Sequence, residues 1–169
     1  MTPTVEESQE IVRQRAIDVA AATLKERGIL FRIEDSQQMR RVWNQQGAHL
    51  LAEEDIQGAA AVLMQARNFS DFDNFLEALR GKLVKLLVRL GDDLYYDYGY
   101  TMDALACYQL ALGLDPINQE ALNTVVATCT PQGDFSLIEL ALPYAVVLRH
   151  LNPEKNSVPY VLQLIDQQK

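Results

Sequence analysis

Four of the seven tyrosines in the chain stand within six residues, at Tyr95, Tyr96, Tyr98 and Tyr100. A helix cannot bury all four rings, because neighbouring positions point to different faces. Tyr95 is predicted to be a core side chain, whereas Tyr98 and Tyr100 flank Gly99 in a predicted turn. Exposed tyrosines are strong anchors in protein interfaces, since each ring offers a large contact area with little entropy to lose. The segment therefore predicts a contact surface for another protein, and packing against the adjacent helix is the alternative for each ring.

Two cations, Lys85 and Arg89, lie shortly before the tyrosines. They are one helical turn apart, so their side chains point the same way. This spacing suits the capture of a carboxylate or another anion. A solvated helix face is the alternative.

Residues that carry catalysis or bind metals are sparse. Cys107 and Cys129 have no CxxC spacing, and His49 and His150 have no ligand pattern beside them. The aspartates around the tyrosines lack the ligand order of an EF-hand loop. The sequence also contains no Gly-rich phosphate loop, nucleophile elbow or Ser-His-Asp set. We therefore expect no enzyme, no metal site and no cofactor, and we expect both cysteines to be small core side chains.

The composition indicates one globular domain over residues 1–169, with 49% hydrophobic and 22% charged residues. The net charge of -8 gives no general attraction to nucleic acid or to anionic membranes. The first residues hold no apolar run of signal-peptide length, and nowhere do enough apolar residues follow one another to span a bilayer. We expect a cytoplasmic protein with no nucleic acid partner and no membrane insertion.

Helix signals extend along the whole chain. No proline occurs between Pro3 and Pro116, so long helices can form there. Capping residues and apolar spacing predict eight helices, at 4–27, 36–52, 55–69, 71–97, 102–114, 118–129, 135–151 and 157–168. The predicted N-caps include Thr4, Asp55, Ser70, Thr101, Asp134 and Ser157. Short connections make neighbouring helices antiparallel. The segment 29–33 is interpreted as tucking under the bundle, with a short strand as the alternative.

A repeat of about 34 residues is visible within these helices. Its first series begins at Trp43 and continues with small and large residues at Gly47, Leu50, Ala59, Leu63 and Ala66. The second reads Leu87, Leu90, Gly91, Leu94, Ala104, Tyr108, Ala111 and Pro116. A third keeps register from Leu122 through Cys129 to Gly133-Asp134-Phe135 and then drifts. Small residues let a neighbouring helix approach, and bulky residues fill the space opposite.

This alternation resembles the tetratricopeptide repeat family. The resemblance extends to the Asp115-Pro116 ending and to the Gly133-Asp134-Phe135 turn. The resemblance implies an all-α fold of antiparallel helical hairpins stacked as a right-handed superhelix. It divides the chain into a helix and linker at 1–35, about three repeats at 36–153 and a capping helix at 154–169. An all-α bundle with accidental spacing is the alternative.

The resemblance also implies a non-catalytic adaptor that binds a segment of a partner protein in a groove. The first helix of each pair forms that groove, where the sequence places Arg41, Asn44, Lys85, Arg89 and Asn123, with Tyr95, Tyr96, Tyr98 and Tyr100 near its mouth. A chaperone dedicated to one client is the second hypothesis, because the chaperones of type III secretion translocators are similar in size, charge and repeat number. The third is a homodimer formed through the apolar face of the first or last helix.

Overall fold

The computed structural model describes residues 2–29, 33–66, 74–130, 136–154 and 161–163. Within these ranges the chain is all-helical and no strand is present, which confirms the all-α part of the predicted fold class. Eight α-helices are bounded there: α1 Val5–Glu26, α2 Ser36–Val42, α3 Ala48–Ala52, α4 Ile56–Leu63, α5 Asn74–Tyr96, α6 Thr101–Leu114, α7 Gln119–Cys129 and α8 Ile138–Leu151. Residues 161–163 are also helical, and the rest of the predicted helix 157–168 lies outside the described residues.

Side-chain caps start several helices where the sequence predicts them. The Thr4 hydroxyl accepts a hydrogen bond from the Glu7 N–H of α1 at 3.1 Å. The Asp55 carboxylate accepts from a first-turn N–H of α4 at 3.0 Å. The helix α6 begins one residue earlier than predicted, with Tyr100 as N-cap and Thr101 inside the helix. The predicted caps Ser70, Asp134 and Ser157 lie outside the described residues.

The predicted helix 36–52 contains a π-helical turn that the sequence did not predict. The helices α2 and α3 are joined through Trp43–Gly47, where the helix widens. A β-carbon at Gly47 would overlap the Trp43 ring. The small residue therefore accommodates a ring of its own helix. Gly47 is buried, and the π-helical turn that contains it packs against α4, which agrees with the neighbouring helix that the repeat spacing predicts there.

The helices α5 and α6 form an antiparallel pair. Near the turn between them, the Tyr108 hydroxyl donates to the Asp92 carboxylate at 2.7 Å. At the far end, the Arg80 guanidinium donates to the Leu114 carbonyl at 3.4 Å. Residues nearer the C-terminus of α6 therefore contact residues nearer the N-terminus of α5, as antiparallel packing requires. Gly91 faces the ring of the buried Tyr108, as the predicted alternation of small and bulky residues requires.

The helix α1 packs across α4, α6 and α8. These correspond to the second helices of the predicted pairs, which are 55–69, 102–114 and 135–151. Its Ala16 lies so close to α6 that a β-carbon at Gly113 would be 2.8 Å from the Ala16 β-carbon. Its Arg15 donates to the Leu140 carbonyl of α8 at 2.8 Å and lies over the Tyr144 ring. The apolar face of α1 is therefore buried within the chain. That face is not available for the homodimer contact considered from the sequence.

Both cysteines are fully buried, which confirms their prediction as core side chains. The Gln57 amide donates to the Cys107 sulfur at 2.9 Å and links α4 to α6. Burial raises the pKa of Cys107 to about 11 and that of Cys129 to about 11. Both side chains are therefore held mainly as neutral thiols, which are less nucleophilic than thiolates.

Candidate functional site

The turn between α5 and α6 is held by hydrogen bonds of its own backbone. Gly99 has a φ of +69°, in the left-handed region that a side chain disfavours. Its N–H donates to the Tyr95 carbonyl at 3.0 Å, and the N–H of Tyr100 donates to the Leu94 carbonyl at 2.9 Å. These bonds satisfy carbonyls that the end of α5 would otherwise leave without partners. The backbone from which the tyrosines project is thus fixed.

Three tyrosines and a methionine are exposed around this turn. The exposed fractions are 72% for Tyr96, 65% for Tyr98, 54% for Tyr100 and 64% for Met102. The rings of Tyr98 and Tyr100 stack with centroids 5.6 Å apart and planes 15° apart. Tyr95 is half-buried, packs on the core and meets the Tyr96 ring edge to face. We call Tyr96, Tyr98, Tyr100 and Met102 the tyrosine surface.

Carboxylates flank the tyrosine surface. The stretch from Gly91 to Asp103 contains four aspartates and neither lysine nor arginine. Asp92 accepts the hydrogen bond of the Tyr108 hydroxyl described above. Asp93, Asp97 and Asp103 are exposed. The surface therefore combines accessible aromatic rings with negative charge.

The predicted groove residues lie on α2, the π-helical turn, α5 and α7. Lys85 and Arg89 are exposed on α5, one turn apart. Among the residues that the structure describes, neither has an ion-pair partner. Arg41 and Asn44 are exposed on either side of the junction between α2 and the π-helical turn, and Asn123 is half-buried on α7. Helical spacing brings Lys85 beside Arg89, and it also brings Arg41 beside Asn44, three residues further along a continuous helical segment.

Sequence reasoning missed two depressions beside α1. One, of about 270 Å³, lies between the start of α1 and the turn from α6 to α7, and Val12, Ile117 and Val147 contribute to its lining. The other, of about 370 Å³, is lined by residues that include Val5 and His150. The sequence held no signal for either depression, because both depend on α1 lying across the other helices.

No group of three or more His, Cys, Asp or Glu residues in the described ranges is arranged to hold a metal ion. Of the helices described, none has the length and apolar character needed to cross a bilayer. Comparison of the chain with protein-family models, with curated proteins and with solved structures found no match in any of the three. Function is therefore inferred from the geometry and charge of the chain itself.

Proposed function

We propose that the chain is a non-catalytic protein-interaction module and that a partner protein docks on the tyrosine surface. The exposure of Tyr96, Tyr98, Tyr100 and Met102 on one fixed turn carries this proposal. Single exposed apolar residues are common, whereas a cluster of them marks an interaction site. The tyrosines lose little conformational entropy on docking, because stacking and the rigid turn already restrict them.

The proposed architecture is a tetratricopeptide-like stack of helix pairs. The antiparallel packing of α5 on α6, the contact of Gly91 with Tyr108 and the complete burial of Ala59 and Ala104 support it. In such a stack α4, α6 and α8 form one layer, and α1 covers that layer. The opposite layer, formed by α2 with α3, α5 and α7, is then the face open to a partner. Lys85 and Arg89 stand on the exposed side of α5 in that layer.

Affinity capture with matched variants tests the docking surface. The chain is immobilised, and proteins retained from a lysate of its natural source are quantified by mass spectrometry. The double variant Tyr98→Ala/Tyr100→Ala is expected to lose the partner. The control is Ile117→Ala, because Ile117 is 64% exposed and lies at the opposite end of α6, about 20 Å along the helix. Circular dichroism checks that both variants remain folded.

Retention of the same partner by the folded double variant would overturn the proposed docking surface. The groove residues are tested in parallel with Lys85→Glu/Arg89→Glu. Loss of the partner in this variant extends the binding surface along α5, and retention removes both cations from it. A single abundant client that is insoluble without the chain would favour a dedicated chaperone over an adaptor.

A further inference from the structure

We infer that the tyrosine surface recognises a segment of its partner that carries arginine. The inference rests on the proposed function and adds the chemistry of the ligand. Three observations support it: the exposed aromatic rings, the spacing between two of them and the charge around them.

The negative charge around the tyrosine surface favours a positively charged partner. Asp97 and Asp103 are exposed and adjoin Tyr98 and Met102 in the chain, whereas the exposed Asp93 lies one turn after Arg89 on α5. A positive side chain at the turn gains attraction from the Asp97 and Asp103 carboxylates, whereas an acidic peptide, a phosphate group or an anionic lipid is repelled by them. The net charge of -8 adds a long-range attraction in the same direction.

The rings favour arginine over lysine. A cation above the face of a tyrosine is attracted by the ring quadrupole, and the planar guanidinium also stacks on the ring. The same guanidinium can donate two parallel hydrogen bonds to a carboxylate, which an ammonium cannot do. Tyr98 is 65% exposed and directly follows the exposed Asp97 in the chain, so the turn offers a guanidinium both an aromatic ring and a carboxylate.

The ring spacing decides where the guanidinium lies. A third plane between two stacked rings needs about 7 Å, twice the normal contact distance between carbon atoms. The centroids of Tyr98 and Tyr100 are only 5.6 Å apart. The gap between the rings is therefore closed, and the guanidinium must stack on an outer face of the pair.

The test is a nuclear magnetic resonance titration of the isotope-labelled full chain with a short synthetic peptide of arginine, glycine and serine. A second peptide replaces each arginine with citrulline, which keeps the shape and removes the charge, and a third replaces it with lysine. We expect the arginine peptide to shift the amide signals of residues 96–102. The citrulline peptide should bind at least about tenfold more weakly, and the lysine peptide should fall between them.

Variants separate recognition by the rings from general attraction to an acidic chain. Tyr98→Ala/Tyr100→Ala is expected to weaken binding of the arginine peptide about tenfold. Asp97→Asn/Asp103→Asn should weaken binding and reduce its dependence on salt. Ile117→Ala, as the control, should bind like the wild type. Equal binding of the arginine and citrulline peptides, equal binding by the tyrosine variant, or signal shifts centred elsewhere would each overturn the inference.

The outcomes also distinguish this inference from the proposed function. A partner that needs Tyr98 and Tyr100 but contacts them through a segment without arginine overturns the inference and supports the proposed function. Light scattering tests a second copy of the chain as the occupant. A dimer that Tyr98→Ala/Tyr100→Ala dissociates would overturn the inference in favour of self-association.

Discussion

Gly91 of α5 lies against the ring of Tyr108 on α6, so closely that a β-carbon at position 91 would be 2.5 Å from the Cε1 atom of the ring. The ring cannot move aside easily, because it is fully buried and its hydroxyl donates to Asp92 at 2.7 Å. The absence of a side chain at Gly91 thus sets how closely α5 and α6 approach.

Gly91→Ala is therefore expected to lower the free energy of unfolding by about 1–3 kcal/mol, since overpacking outweighs the better helix propensity of alanine. Gly81 provides the matched control on the same helix, because a β-carbon there meets nothing within 4 Å. Gly81→Ala should raise the free energy of unfolding by about 0.5–1 kcal/mol. Urea unfolding followed by circular dichroism measures both, and effects of the same sign would contradict the packing described.

The helices could be predicted because their signals are local. A cap such as Asp55 and the apolar spacing that follows it need no knowledge of the fold. The place of α1 could not be predicted, since an amphipathic pattern shows that one face is buried but not what covers it. The sequence also predicts Tyr95 for the core and Tyr98 and Tyr100 for a turn, and the structure confirms both. The use of these tyrosines as a contact surface stays a prediction, since a partner is not part of the local pattern.

A bidentate ion pair joins the end of α1 to the start of α4. The Arg27 guanidinium donates from Nε and from a terminal nitrogen to the two Asp55 carboxylate oxygens, each at 2.8 Å. The hydrogen bond from Arg27 is the largest cause that holds the pKa of Asp55 below its ordinary value. The folded state therefore favours the ionised carboxylate. The resulting stability is present above the unfolded pKa, near about 3.9, and is lost as the pH falls through the lower folded pKa.

Arg27→Met is expected to lower the free energy of unfolding by about 1–3 kcal/mol at neutral pH, because it leaves the half-buried Asp55 carboxylate without its ion-pair partner. The difference from the wild type should shrink below about pH 4, as Asp55 becomes protonated in both proteins. Urea unfolding of both proteins across that pH range measures the difference in their free energies of unfolding. Arg13→Met removes an exposed pair with Glu10 and should leave stability nearly unchanged. A constant difference between Arg27→Met and wild type at every pH would contradict the assignment to Asp55.

The buried thiols should be inert in the folded chain. With pKa values raised to about 11 by burial, Cys107 and Cys129 hold on the order of one thiolate per thousand molecules at about pH 8. A thiol reagent such as dithionitrobenzoate should react with them only as fast as the chain opens. Both should react promptly in concentrated urea, which serves as the control. Prompt reaction of either thiol without denaturant would show that the packing around it is open.

The backbone at Gly99 links stability to the display of the tyrosine surface. Its φ of +69° strains any side chain, yet a β-carbon there meets nothing within 4 Å, so the cost of substitution is conformational alone. Gly99→Ala should lower the free energy of unfolding by about 1 kcal/mol, and Gly99→Val should lower it further. Gly99→Asn should lower it less than Gly99→Ala, since asparagine enters the left-handed region more readily. Urea unfolding ranks the three variants, and an alanine variant as stable as the wild type would contradict the turn geometry. Because the same turn directs Tyr98 and Tyr100, Gly99→Val should lose partner capture at temperatures where the chain is still folded, while Gly99→Asn keeps it.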